Sequence, residues 1–279
     1  EGVMRRRIML AVLGLAVCLG APAQAAGADD TIVVASTTST QDSGFFSYLL
    51  PQVKERLGIT VKVVALGTGQ ALDTARRGDA DVVFVHDAEA EAKFVAEGHG
   101  IQRHPVMYND FLIVGPAADP ARIRGGDDVV RALQSIFRGG HTFISRGDRS
   151  GTHQAELRLW AAAGLSPQPG EHPWYRSVGQ GMGPALNMAS ASDAYVMTDR
   201  ATWISFRNKG SLVPLVEGDR RLFNQYGLIL VNPAKHPHVK AAAGQRFIDF
   251  MLSEEGQRVI AAYRVEGRQL FHPDAAAQP

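Results

Sequence analysis

The sequence predicts an α/β protein of two lobes, and three observations carry that expectation. Apolar β-type runs alternate with helix-like stretches through the first hundred residues. Two strand-like segments of similar character lie far apart, at 109–116 and 224–233. Two hydroxyl- and glycine-rich stretches each stand between an apolar run and a helix. Such alternation implies a parallel sheet with crossover helices.

Taken in order, residues 31–35 read as a strand, 45–57 as a helix and 59–66 as a β-branched strand. Residues 71–77 then read as a helix, 82–85 as a buried strand and 88–98 as an amphipathic helix. Asn109-Asp110-Phe111-Leu112-Ile113-Val114-Gly115-Pro116 has a polar start, an apolar body and a proline stop. Asn224-Gln225-Tyr226-Gly227-Leu228-Ile229-Leu230-Val231-Asn232-Pro233 has the same character. The pair reads as the strands on which the chain leaves the first lobe and returns to it. Lobe I would comprise 26–113 with 226–279, and the inserted lobe II 114–225. One helix from about 239 to 263 would close lobe I, with Phe247, Phe250, Met251, Val259 and Ile260 at helical spacing. A cleft between two such lobes is where a small ligand sits, and the two strands supply a hinge.

Met4-Arg5-Arg6-Arg7, an apolar run over 8–21 and Ala23-Gln24-Ala25 read as a secretory signal peptide over 1–25. The run is too short, and too soon followed by Pro22, for a membrane span. Cys18 is the only cysteine, and the bulky Val17 before it argues against a lipid anchor. The mature chain would have no disulfide or thiol chemistry, and export points to a bacterial periplasm. Lys and Arg number 29 against 28 Asp and Glu, a net charge of +1 that falls to about −1 without the signal segment. No basic stripe is interleaved with aromatics, so nucleic acid is not an expected partner.

The two hydroxyl-rich stretches carry the chemistry. Ser36-Thr37-Thr38-Ser39-Thr40-Gln41-Asp42-Ser43-Gly44 follows the first strand, and Ser145-Arg146-Gly147-Asp148-Arg149-Ser150-Gly151-Thr152-His153 follows an apolar run at 142–144. A strand feeding such a turn into a helix presents unpaired backbone N–H groups and a positive dipole end. Hydroxyls and an arginine make each a place for an oxyanion. Thr37-Thr38-Ser39 alone could be an ordinary helix cap, and Arg146 could instead pair with Asp148 or Asp199 as a structural salt bridge.

These residues resemble a known family. The stretch from Thr37 to Gly44, Gly67-Thr68-Gly69-Gln70-Ala71-Leu72, Arg77-Gly78-Asp79-Ala80-Asp81-Val82 and Val85-His86-Asp87 look like the periplasmic tungstate-binding receptors of ABC importers. So do Val106-Met107-Tyr108-Asn109-Asp110-Phe111, Ser145-Arg146-Gly147-Asp148 with Ser150-Gly151-Thr152-His153, Gly179-Gln180-Gly181-Met182-Gly183, Leu186-Asn187-Met188-Ala189, Thr198-Asp199-Arg200 and Phe271-His272-Pro273. The similarity follows chain order over nearly the whole mature segment. It implies a type II periplasmic-binding-protein fold, two Rossmann-like lobes joined by two hinge strands, and delivery of a tetrahedral oxyanion to a membrane permease. It also implies ligand contacts at Thr37, Thr38, Ser39, Thr68, Arg146, Ser150, Gly151 and Thr152. Ser36, where the pattern has threonine, keeps a hydroxyl. Arg149 stands where an acidic or neutral residue is more usual.

Tungstate and molybdate are dianions without protons near neutral pH, so their site needs only donors, and the planar fork of Arg146 suits two oxygens at once. Phosphate carries a proton and rewards a carboxylate acceptor. Asp42 and Asp148 would supply one if they pointed inward; outward or turn-capping roles are expected instead. The expected receptor is a monomer without cofactor or metal cation, with tungstate first, molybdate or phosphate as alternatives, and a sensor as a further possibility. The rival class is a periplasmic hydrolase using Ser150 and His153. No Gly-x-Ser-x-Gly elbow is present, and His153 and Glu156 lack a third ligand at a recognised spacing. Gly67-Thr68-Gly69 lacks the Lys-Ser or Lys-Thr of a nucleotide loop.

Overall fold

The computed structural model describes residues 30–275, so the signal peptide read at 1–25 lies outside the described residues. The chain runs β1 (Asp30–Thr37), α1 (Thr38–Asp42), α2 (Phe45–Leu57), β2 (Ile59–Leu66), α3 (Thr68–Arg76), β3 (Val82–Val85), α4 (Ala88–Ala96) and the long β4 (Gly100–Pro116). It continues through α5 (Val129–Gly139), β5 (Phe143–Ser145), α6 (Gly151–Ala162), β6 (Tyr175–Ser177), α7 (Met182–Ser192), β7 (Tyr195–Asp199), α8 (Arg200–Ser205) and β8 (Leu212–Val216). It closes with β9 (Phe223–Val231), α9 (Ala241–Leu252), α10 (Glu254–Ala262) and the two-residue strands β10 (Arg264–Val265), β11 (Arg268–Gln269) and β12 (His272–Pro273).

The main sheet is ordered β2-β1-β3-β9-β4-β7-β5-β6, with β8 and β12 also paired to β4. Its two ends are parallel: β1 with β2 and β3, β5 with β6 and β7. Its centre, β3-β9-β4-β7, is antiparallel. β4 spans both parts. Residues up to Asp110 pair with β9, and from Phe111 onward the partners are β7 and β8. Parallel strands need covering helices on both faces, and the buried side chains divide accordingly. Ile32, Phe45, Phe84, Phe247 and Phe271 form one cluster, with Leu72, Phe94 and Ile229 on the opposite face. Ile113, Phe143, Trp160 and Tyr195 form another, with Leu186, Val196 and Trp203 facing them. This is an α/β architecture of two Rossmann-like lobes. The chain passes between them along β4 and again at 217–222.

Three details depart from the sequence reading. The single closing helix is two: Ser253 accepts from the Gly256 N–H and so caps α10. A Cβ at Gly256 would lie 1.9 Å from the Phe250 carbonyl, a contact only glycine permits. The strand expected from 109 begins at Gly100, because β9 pairs with its earlier residues as well. The first hydroxyl turn contains a short helix of its own, α1.

Candidate functional site

Strands β1, β2, β3, β5 and β7 all end at one cavity of about 590 Å³, at the carboxyl edge where open α/β sheets take ligands. Thr37, Thr38, Ser39, Thr68, Arg146, Ser150, Gly151 and Thr152 all line it. A smaller hollow of about 230 Å³ beside α5 receives none of them.

The first turn is neutral and internally bonded. Thr37 is only 3% exposed. Its hydroxyl accepts from Thr40 N–H at 3.3 Å and lies 2.7 Å from Thr40 Oγ1 and 3.2 Å from Ser39 Oγ. The hydroxyls of Thr38, Thr68 and Thr152 have no protein partner among the described residues. Thr68 opens α3 after Gly67.

The second turn is ionic. Arg146 donates through Nε (3.1 Å) and Nη2 (2.6 Å) to Asp148 Oδ2. Ser150 donates its hydroxyl hydrogen to Asp148 Oδ1 at 2.6 Å, and its oxygen caps α6 by accepting from His153 N–H. Burial opposes ionisation of Asp148, but the Ser150 and Arg146 hydrogen bonds outweigh it and hold the carboxyl below its usual range. Asp148 is thus a turn-organising group, as expected, and Ser150 has its one hydrogen committed. What remains without a protein partner at the cavity among the described residues is the Arg146 Nη1 and the N–H groups of Gly151 and Thr152 in the first turn of α6. Gly147 makes the bend possible: its φ is +60°, and a Cβ there would fall 1.6 Å from Ser177 Oγ. Arg149 is exposed and does not line the cavity.

His86, one residue past β3, occupies the wall between the turns. Its Nδ1 is 3.1 Å from Asn224 Oδ1, and Asn224 donates in turn to Asn109 Oδ1 at 2.8 Å. Its Nε2 lies 3.1 Å from Thr37 Oγ1 and 3.3 Å from Ser39 Oγ. The ring packs on Tyr226 with centroids 4.7 Å apart. Burial pushes the imidazole down to about 4, against the Asn224 hydrogen bond and the Asp87 charge, so it is neutral at pH 7. In the sequence, His86 stands just past the strand read at 82–85 and is assigned no contact. Asn109 and Asn224, a cross-strand pair of β4 and β9, were noticed only as strand starts.

Residues 21–255 match the PBP superfamily domain. The chain belongs to that superfamily. A tungstate-binding protein, TupA, of Peptoclostridium acidaminophilum is 47% identical over 253 residues, covering 89% of this chain and 87% of the relative. Among solved structures, the tungstate-binding protein TupA of Desulfovibrio alaskensis G20 superposes with a TM-score of 0.84 at 41% identity, covering 88% of this chain and 99% of that one. The tungstate ABC transporter structure from Geobacter sulfurreducens gives 0.72 at 47% identity, covering 85% and 100%.

In this PBP-superfamily cleft the hydrolase alternative lacks its geometry. Ser150 Oγ meets the backbone N–H of His153, while the His153 Nδ1 accepts from Arg149 N–H. No described contact joins that imidazole to the serine hydroxyl.

Proposed function

We propose that this chain is an exported, monomeric receptor that traps tungstate, with molybdate second, between its lobes and presents the closed form to an ABC permease. The observation that carries this reading is the convergence of both hydroxyl turns on one cavity, with the carboxylate of the second turn spent on Arg146 and Ser150. Among the described residues, no helix is long and apolar enough to cross a membrane, which accords with an exported receptor.

The anion is held by Thr37, Thr38 and Ser39 on one side and by Arg146, Gly151 and Thr152 on the other, with Thr68 at the edge. Ser150 acts there chiefly through the turn it organises. One guanidinium charge largely matched by Asp148 leaves directed N–H and O–H dipoles to meet a dianion. A ligand bridging both turns binds the closed arrangement better than the open one, and that differential affinity drives closure of the lobe built on β1–β3 and β9 onto the lobe built on β5–β7. Calorimetric titration of the mature chain with tungstate, molybdate, sulfate and phosphate at pH 7 tests the reading. One-to-one tungstate binding with phosphate silent is expected. Phosphate binding tighter than tungstate, or no oxyanion binding, would contradict it.

A further inference from the structure

The β10–β11 hairpin and helix α8 come from different lobes, and neither has a part in the oxyanion reading. The hairpin follows α10, and its base is fixed on the lobe of β1–β3. Tyr263 donates its hydroxyl hydrogen to the Ser43 carbonyl at 2.5 Å, just past α1, and its ring lies 5.7 Å from that of Phe45. Arg264 pairs with Gln269 and Val265 with Arg268, so Glu266 and Gly267 make the turn. Both have positive φ, +49° and +78°. That two-residue turn matches the twist of a hairpin and puts the Glu266 side chain at the tip. α8 belongs to the lobe of β5–β7, where Trp203 packs in a cluster with Leu112, Leu186 and Val196.

The two elements meet across the cleft. β10 runs beside α8, and Val265, Ala201, Thr202 and Ser205 line the cavity together. Ala201 packs against the apolar cluster of the hairpin's own lobe, as Tyr263 and Val265 do. Past the end of α8, Arg207 donates from Nη2 to Glu266 Oε1. The start of α8 is tied to the hinge. Arg200 donates from Nε at 2.8 Å and Nη2 at 2.7 Å to Asp110, and from Nη1 at 2.9 Å to Glu217. Asp110 is where β4 changes partner from β9 to β7, and Glu217 opens the second passage between the lobes. α8 is thus held at one end by the hinge and at the other by the opposite lobe.

We propose that α8 and the β10–β11 hairpin form a latch across the cleft, with Arg207 and Glu266 as its positioning residues. The latch favours the closed arrangement on its own account, and so sets how long a bound anion is held. The proposal rests on the oxyanion reading above only for what is held. A contact made between closed lobes raises the closed fraction, and apparent affinity scales with that fraction. Opening must break the latch while encounter need not form it first, so the effect falls on release more than on capture.

The test reads lobe separation and tungstate release in the same proteins. Cys18 is the only cysteine and lies in the segment read as signal peptide, so the mature chain accepts paired spin labels. Glu55→Cys on α2 and Arg131→Cys on α5 put one label on each lobe at exposed positions. Arg207→Glu and Glu266→Asn should each shift the label distances towards the longer, open component, with and without tungstate. Asn-Gly is a preferred pair for this turn, so Glu266→Asn keeps the hairpin while removing the carboxylate. Tungstate release should quicken by ~5-fold in Arg207→Glu and ~3-fold in Glu266→Asn, with association unchanged. The charge exchange, Arg207→Glu with Glu266→Arg, should restore both readouts to within ~2-fold of the wild type. Distances in Arg207→Glu identical to the wild type, or an exchange that restores nothing, overturn the proposal. A wild type that does not bind tungstate, with variants that still open, supports the latch and contradicts the oxyanion reading alone.

Discussion

The two turns that meet at the cavity are built from different materials. The Thr37–Ser39 turn is uncharged: hydroxyls bonded to one another and to a neutral imidazole. The Arg146–Thr152 turn is built on an ion pair, with Asp148 holding the guanidinium and the Ser150 hydroxyl at the first turn of a twelve-residue helix. A dianion between them meets one compensated charge, one helix dipole and a set of neutral donors. Affinity should therefore be concentrated on the ionic side.

Arg146→Ala gives the sharpest test of that division. It removes a charge-assisted contact of ~1.5–3 kcal/mol and leaves Asp148 without its partner, so tungstate binding should weaken by ~100-fold or more while the circular dichroism spectrum is unchanged. An affinity within threefold of wild type would move the weight to the other turn. Ser150→Ala should act mainly on stability, with a lower ligand-free melting temperature from the loss of an N-cap contribution of ~1 kcal/mol. Ser39→Ala, on the neutral side, should cost ~5-fold in tungstate affinity, the value of one neutral hydrogen bond, with no change in melting temperature.

Acid should separate the turns. The folded His86 binds its proton near 4 rather than 6.5, so the unfolded chain takes up more protons in that window. Stability from this group is complete above pH 6.5 and is lost as pH falls towards 4, by at most ~1.4 kcal/mol per unit. Asp148, held below 3.8, contributes stability that is present above that value and is lost only as pH falls beneath it. Melting temperatures of wild type and His86→Gln between pH 4 and 7 should show the slope in the first and a flatter line in the second.

Much of the scaffold was legible because its signals are local. Strands β1 to β3 and helices α2 to α4 follow from alternation, and the turns from hydroxyls set before apolar helices. What was not legible depends on distant partners. The break at Ser253 competes with a continuous helical pattern and is settled by the close approach of Gly256 to Phe250. The early start of β4 depends on β9, more than a hundred residues away. Asp148 and Ser150 were both read near the site, but donor accounting needs the angle of each side chain. His86 looks in sequence like the end of a buried strand; its two ring nitrogens acquire meaning only when Asn224 and Thr37 are brought to it.

The central claim is that both turns hold one oxyanion, and tungsten anomalous diffraction from crystals grown with tungstate tests it most directly. The account predicts a single strong peak in the cavity, with oxygens in hydrogen-bonding reach of the Thr37–Ser39 turn and of Arg146, Gly151 and Thr152 together. A peak bound by one turn alone, or lying elsewhere on the protein, would contradict it.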